Sequence, residues 1–215
     1  MTHTNHRQGT RESLSRDYVP FMFACRGVND KDAVPKLKKF LRIALKHGAV
    51  NAGQIRVGNI FRFSSPEELL AVVEKSEHIY SLYTVFDDRE KVQALLKDVV
   101  TADLGLSVVV SGLFDEVDKM CQEVGIKRHT AQCSLGVWGK REKLPPEEIL
   151  DITTMCGHGM VSANLVRRMA TEVRKGLTSL EVAASIMAKP CVCGVFNPKR
   201  AEDLLRQCIA AGIGE

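Results

Sequence analysis

The chain has 215 residues, of which 45% are hydrophobic, and a formal net charge of +4. This length and composition are enough for a sizeable core and are typical of a globular protein with one or two domains. The basic residues are mixed with acidic ones, aromatic residues make up only 6%, and no apolar run approaches the ~20 residues of a membrane helix. We therefore expect neither a nucleic-acid partner nor a membrane partner.

The first third of the chain predicts short strands and amphipathic helices. Residues 1–17 are polar and predict a disordered N-terminal arm. Residues 18–25 predict a strand, and the apolar spacing over 30–46 predicts a helix. Gly58-Asn59 between two alternating runs indicates a hairpin turn, and a capping box beginning at Ser65 indicates the start of another helix.

From residue 78 the pattern becomes regular. Strand-like runs at 78–86, 104–110 and 127–135 alternate with helices that begin near Asp87 and Leu113. Short links between such elements predict a right-handed parallel βαβαβ unit, hence an α/β fold, with α+β as the alternative. Ligands would then bind beyond the carboxyl ends of the strands.

After Gly139 only helical patterns remain, each with a capping or breaking residue at its end. We therefore predict three parts: the disordered arm at 1–17, an α/β domain at 18–139, and an all-helical subdomain at 140–215 that carries two cysteine motifs.

The cysteines indicate a reducing compartment. There are seven, their spacing is irregular, and the first 17 residues lack the apolar centre of a secretory signal. We therefore expect a cytoplasmic protein whose cysteines bind metal or perform redox chemistry. Cys121 and Cys208 fall on apolar helix faces and Cys25 ends a predicted strand, so these three are expected in the core.

The two motifs lie in breaks between predicted helices. The first reads Cys156-Gly157-His158-Gly159-Met160, and the second, after Pro190, reads Cys191-Val192-Cys193-Gly194. Glycine allows a backbone to wrap closely around a bound group, thiolate is a soft metal ligand, and each motif precedes a helix N-terminus, which stabilises negative charge.

We therefore predict that Cys156, Cys191 and Cys193 are metal ligands. Cys133, at the carboxyl end of the last predicted parallel strand, is the predicted fourth ligand. His158 is the candidate catalytic acid, or a hydrogen-bond donor to the bound group.

Four thiolates would hold a 4Fe-4S cluster, and the tight C-x-C spacing favours such a cluster over a single ion. The function predicted from this is redox or cluster-assisted chemistry on a small substrate, as in an iron–sulfur oxidoreductase or lyase, with a small molecule or a redox partner protein as partner. The alternative is a structural zinc site formed by Cys156, His158, Cys191 and Cys193, with the α/β domain binding a partner. In a third hypothesis the cysteines bind no metal and form a thiol redox pair or are inert. The sequence names neither the substrate nor the oligomeric state.

Overall fold

The computed structural model describes residues 4–214. It contains a mixed arrangement of one sheet and several helices. The strands are β1 (Val19–Phe23), β2 (Asn51–Gln54), β3 (Gly58–Asn59), β4 (Ser81–Val85) and β5 (Ser107–Ser111). The helices are α1 (Arg11–Leu14), α2 (Ala33–Lys46), α3 (Pro66–Lys75), α4 (Arg89–Ala102), α5 (Phe114–Val124), α6 (Glu147–Thr153), α7 (Ala163–Arg174), α8 (Leu180–Ala188) and α9 (Pro198–Ala210), with 3-10 turns at Ile60–Arg62 and Arg141–Lys143.

The sheet is antiparallel throughout, so the predicted parallel βαβαβ unit is wrong and the fold class is α+β. The strand order is β3-β2-β4-β1-β5, and β1 pairs antiparallel with both β4 and β5. Strands β1 and β2 therefore point the same way, but β4 lies between them, which is a split β-α-β arrangement. Alternation of helix and strand along the chain does not determine which strands become neighbours.

Two local predictions also fail. Gly58-Asn59 is not the hairpin turn but the strand β3, which pairs with Gly53 and Gln54. Residues 127–135 form no strand. Every residue from 127 to 144 is exposed, so the alternating apolar residues there do not pack against a core.

Helices cover both faces of the sheet. One apolar core joins α2, α3, α4 and α5 to one face, and a second core joins α6 to α9 to the other. Successive residues of β1 alternate between them: Phe21 belongs to the second core and Met22 to the first. The C-terminal helices and the sheet thus share a core. No helix within residues 4–214 is long and apolar enough to cross a membrane.

The first residues of the predicted arm, including His3, lie outside the described part of the chain. The rest, 4–17, includes α1 and lies against α9. Buried Asp17 accepts hydrogen bonds from Arg7 at 2.5 Å and from Arg200 at 2.8 Å. The side-chain amide of Asn197, which caps α9, donates to the backbone carbonyl of Arg16 at 2.9 Å.

Candidate functional site

The two cysteine motifs meet beneath the surface. The Sγ atoms of Cys191 and Cys193 are 3.9 Å apart, and the thiol of Cys156 lies in the same buried cluster, near that of Cys191. These three side chains, which we call the thiol row, are all buried. His158 is exposed at the Cys193 end of the row, with its Nδ1 atom 3.7 Å from the Sγ atom of Cys193.

The second motif is a tight turn pressed against the sheet. Pro190 follows the end of α8, and the amide of Gly194 donates to the carbonyl of Cys191 at 2.9 Å. Gly194 has φ +79°, and a Cβ atom there would lie 2.5 Å from the carbonyl carbon of Ala52 in β2. Both the left-handed backbone and the close approach therefore require glycine.

A buried asparagine from the sheet holds this turn in place. The side-chain amide of Asn59 donates to the carbonyl of Cys191 at 2.7 Å and to that of Ala188 at 2.9 Å. Its Oδ1 atom accepts from the amide of Phe61 at 2.9 Å. The position of Cys191 is thus fixed by a residue far away in the sequence.

The first motif is a glycine-rich loop between α6 and α7. The amide of Cys156 donates to the carbonyl of Thr153 at 3.1 Å, and that of Gly159 donates back to Cys156 at 2.9 Å. Ser162 then caps α7 by accepting from the amide of Leu165 at 3.2 Å. The loop is therefore a connected turn rather than a free coil.

The surroundings of the thiol row favour the thiolate form at Cys193 over the other two cysteines. Its contact with Cys191 lowers the pKa of Cys193, as does the backbone amide of Val195, against the opposing effect of burial. The contact with Cys156 lowers the pKa of Cys191, but its contact with Cys193 and its burial outweigh this and raise the value to about 12. The contact with Cys191, together with burial, raises the pKa of Cys156. Of the three cysteines, Cys193, which lies beside His158, therefore forms a thiolate most readily.

The other cysteines lie elsewhere. Cys133, the predicted fourth ligand, is exposed and is not buried with the row. Cys121 and Cys208 are buried as predicted, and the Sγ atom of Cys208 is 3.2 Å from the carbonyl oxygen of Glu148. Cys25 is exposed, so its predicted place in the core is wrong, because the strand ends at Phe23 and the chain leaves the sheet.

A cavity of about 340 Å³ opens beside Cys156. Its walls include Leu150, Thr153, Gly157 and Gly159, together with His6 from the N-terminal residues. Asn59 was not predicted at this site, because it carries no local motif, and both Asn59 and His6 reach the site only through the tertiary fold.

Two separations, both measured from the Sγ atom of Cys193, match those of ligands on one ion. Zn–S bonds of about 2.3 Å and Zn–N bonds of about 2.0–2.1 Å give tetrahedral edges of about 3.8 Å between two sulfurs and about 3.6 Å between sulfur and nitrogen. The observed separations are 3.9 Å for Cys191–Cys193 and 3.7 Å for Cys193–His158. In a cubane each thiolate binds a different iron, which sets the sulfurs further apart.

The row does not present all its donors at once. Within the described residues, no group of three or more His, Cys, Asp or Glu side chains is placed to hold a metal ion. Three thiols and an imidazole suit a soft or borderline metal, but these four groups do not converge on one point.

Comparison of the chain with protein-family models, curated proteins and solved structures finds no match in any of the three. A fold by itself does not determine activity, so we infer the function from the chemistry of the site.

Proposed function

We propose that the thiol row and His158 form a metal centre, with a single tetrahedral zinc ion as the bound group. The observation that carries this proposal is the agreement of the 3.9 Å and 3.7 Å separations with the edges of a tetrahedral site. With ligands from both motifs, the ion would fasten the loop after α6 to the turn after α8. Four protein ligands are typical of a structural zinc site, whose binding free energy adds to stability.

A 4Fe-4S cluster is the second candidate, and two observations favour it. The contact with Cys191 and burial raise the pKa of Cys156 overall, but hydrogen bonds from the backbone amides of Met160 and His158 act in the opposite direction, and such amide hydrogen bonds also tune cluster sulfurs. Cys133 adjoins Ser134, whose hydroxyl is 3.3 Å from His6 Nδ1, and His6 lines the cavity beside Cys156.

A bound cluster would supply redox or Lewis-acid chemistry to a small substrate in this cavity, as in an oxidoreductase or lyase. His158 would then be the nearby acid. All seven cysteines are free thiols, which supports a reducing, cytoplasmic location.

Metal and sulfide content of anaerobically purified protein tests both candidates. Stoichiometric zinc that is lost in Cys191→Ser and retained in Cys133→Ser is the result expected for a single ion. Iron with acid-labile sulfide, lost in both variants, would instead establish a cluster with Cys133 as ligand. Cys208→Ser is the matched control, since that thiol is buried but lies outside the row. Protein that takes up neither metal after anaerobic reconstitution refutes the metal centre.

Cobalt substitution tests the role of His158. Cobalt(II) bound to three thiolates and an imidazole absorbs in the visible range, and His158→Ala should shift these bands and weaken binding, because water replaces the nitrogen ligand. His129→Ala, which alters another exposed histidine, should leave the spectrum unchanged. An unshifted spectrum in His158→Ala would remove this residue from the ligand set.

A further inference from the structure

Strand β5 lies at one edge of the sheet, where it pairs with β1 alone. All five of its residues are in continuous register with β1, and it contains neither a proline nor a charged residue. The strand at the opposite edge, β3, has only two residues. Natural edge strands are usually shortened, charged, bulged or covered, because an open edge can pair with another strand. Its length therefore protects β3, whereas the sequence and register of β5 provide no such protection.

The backbone groups on the outer side of β5 are identified by the pairing of β1. Tyr18 exchanges both backbone hydrogen bonds with the residue that follows β4, at 3.0 and 2.9 Å, so its backbone groups point to the β4 side. Backbone direction alternates along a strand, so Phe21 points to the other side, where it pairs with Val109. Val109 therefore uses its backbone groups on β1, while the amides and carbonyls of Val108 and Val110 point outward.

These outward groups are free within residues 4–214, where neither a backbone nor a side-chain group bonds to them. Near the end of the strand, the hydroxyl of Ser111 donates to the carbonyl of Thr4 at 3.0 Å. Ser111 lies on the same face as Val109, so this bond is made above the sheet and does not use the edge. Val109 is itself 37% exposed, although its cross-strand neighbour Phe21 belongs to the second core. The helices α6 to α9 thus cover this face of β5 incompletely.

The sequence of β5, Ser-Val-Val-Val-Ser, reads the same in both directions. A two-fold axis at its centre would place residues of the same type opposite each other, namely Val109 with Val109, Val108 with Val110, and Ser107 with Ser111. In this antiparallel register Val108 and Val110 form the hydrogen-bonded pairs, so the outward groups of both chains are satisfied. Val109 meets its own copy in the close position without hydrogen bonds, where side chains touch directly. Such self-complementarity is what a two-fold interface requires.

The charges beside β5 do not oppose a second copy. Helix α5, which follows the strand, is rich in acids, and arginines of the same chain pair with them. These pairs are Arg11–Asp115, Arg128–Asp118 and Arg89–Glu123. The strand itself has no cation to bind a nucleic acid, and lipid cannot pair with its backbone groups. An uncharged strand also selects no acidic or basic peptide, whereas two copies match each other in sequence.

We propose that two copies of this chain associate through β5, with the two strands antiparallel about a two-fold axis at Val109. The pairing joins two sheets into one and buries the exposed Val109 side chains against each other. The joined sheet ends at both sides in the short strand β3, so association stops at two chains. This interface does not depend on what the thiol row binds.

Sedimentation velocity of the full-length protein tests the proposal. Across about 1–200 μM, the mass is expected to rise from that of one 23.8 kDa chain to that of two, as mass action requires. Val109→Lys and Val109→Glu should each weaken association about tenfold or more, because like charges directly opposite each other are destabilising. An equimolar mixture of these two variants should recover the dimer, since Lys then faces Glu across the axis.

A matched control lies on another surface. Val72 on α3 is 38% exposed, so Val72→Lys and Val72→Glu make the same change at the same exposure and should dimerise like the unmodified protein. Amide hydrogen exchange, followed by NMR, locates the interface. Protection of the Val108 and Val110 amides should rise with the dimer fraction in the unmodified protein and be lost in Val109→Lys. The amide at position 109, bonded to β1, should stay protected in that variant and shows that the strand remains folded.

Protein that stays monomeric over the whole concentration range would overturn the proposal. So would a dimer that persists in both Val109 variants, or folded variants whose association is not restored by mixing. Val108 and Val110 amides that exchange equally fast in monomer and dimer would place the interface elsewhere and would also overturn it. This last measurement uses the unmodified protein alone, so it decides the proposal even where a Val109 substitution prevents folding.

Discussion

Asn59→Asp is the sharpest test of how the sheet positions the thiol row. The substitution keeps size and the acceptor for Phe61, but it removes the two short donor bonds to the carbonyls of Ala188 and Cys191. Each carbonyl keeps one backbone donor, since Cys191 donates to Ala188 and Gly194 donates to Cys191. The loss is therefore near the lower end of the usual range, about 1 kcal/mol for each bond.

Burying a carboxylate against carbonyl oxygens adds a further cost, because each unit by which the folded-state pKa rises is worth about 1.4 kcal/mol at pH above that pKa. We expect a total loss of about 2–4 kcal/mol at pH 7, or roughly 6–12 °C in Tm for a chain of this size. An acid whose pKa is raised on folding binds its proton more tightly in the folded state. The deficit of Asn59→Asp should therefore shrink as the pH falls through that raised pKa.

Urea denaturation across pH 5–8 measures this deficit, and the rate at which buried thiols react with a maleimide measures the release of the row. Asn51→Asp is the control, because Asn51 is equally buried and donates to the carbonyl of Phe196 at 2.8 Å but not to Cys191. At matched stability, the row should react faster in Asn59→Asp than in Asn51→Asp. A deficit below about 0.5 kcal/mol, well short of one buried hydrogen bond, would refute the assigned role, as would equal thiol reactivity in the two variants.

Two further outcomes follow from backbone geometry and from burial. Gly194→Ala should lower the free energy of unfolding by about 2–4 kcal/mol in urea denaturation, because the backbone atoms of β2 next to the new Cβ cannot move away. Gly159 also has a positive φ but has open space around it, so Gly159→Ala should cost about 1 kcal/mol. Equal losses in the two variants would contradict the packing of the turn. In metal-free protein at pH 8, Ellman's reagent should react quickly with the exposed Cys25 and Cys133 only, because the other five thiols are buried. Denaturation should release those five, and a third fast thiol in the folded protein would contradict the burial of the row.

Helix starts were predictable because their causes are local. Ser65 accepts the amide of Glu68 at 3.3 Å, and Asn197 accepts that of Arg200 at 3.0 Å, as their capping patterns indicate. The helix predicted to begin near Asp87 is capped by the next residue, Asp88. Strand order could not be predicted in this way, since the neighbours of β1 are chosen by tertiary packing and not by the residues beside it.

In the candidate site, too, the residues with local sequence signals were predictable and those placed by tertiary packing were not. Three thiols were expected to act together because glycine in both motifs, and proline in the second, mark them as turns, and the structure buries Cys156, Cys191 and Cys193 in one cluster. Cys133 was assigned from the end of a parallel strand that does not exist, so that argument for a fourth ligand no longer holds. Asn59 was missed because 132 residues separate it from Cys191.

The surroundings of the second motif argue that the thiol row is more than core packing. Arg7, from the N-terminal residues, donates to the carbonyl of Val195, while the amide of Val195 stabilises the thiolate of Cys193. Arg200 and Arg7 share the buried carboxylate of Asp17 on the same side. Buried charges and amides are costly unless fully paired, and an apolar core would hold three small thiols without them. This polar framework fixes the turn that carries Cys191 and Cys193 before any ligand arrives, as expected of a preformed part of a metal centre.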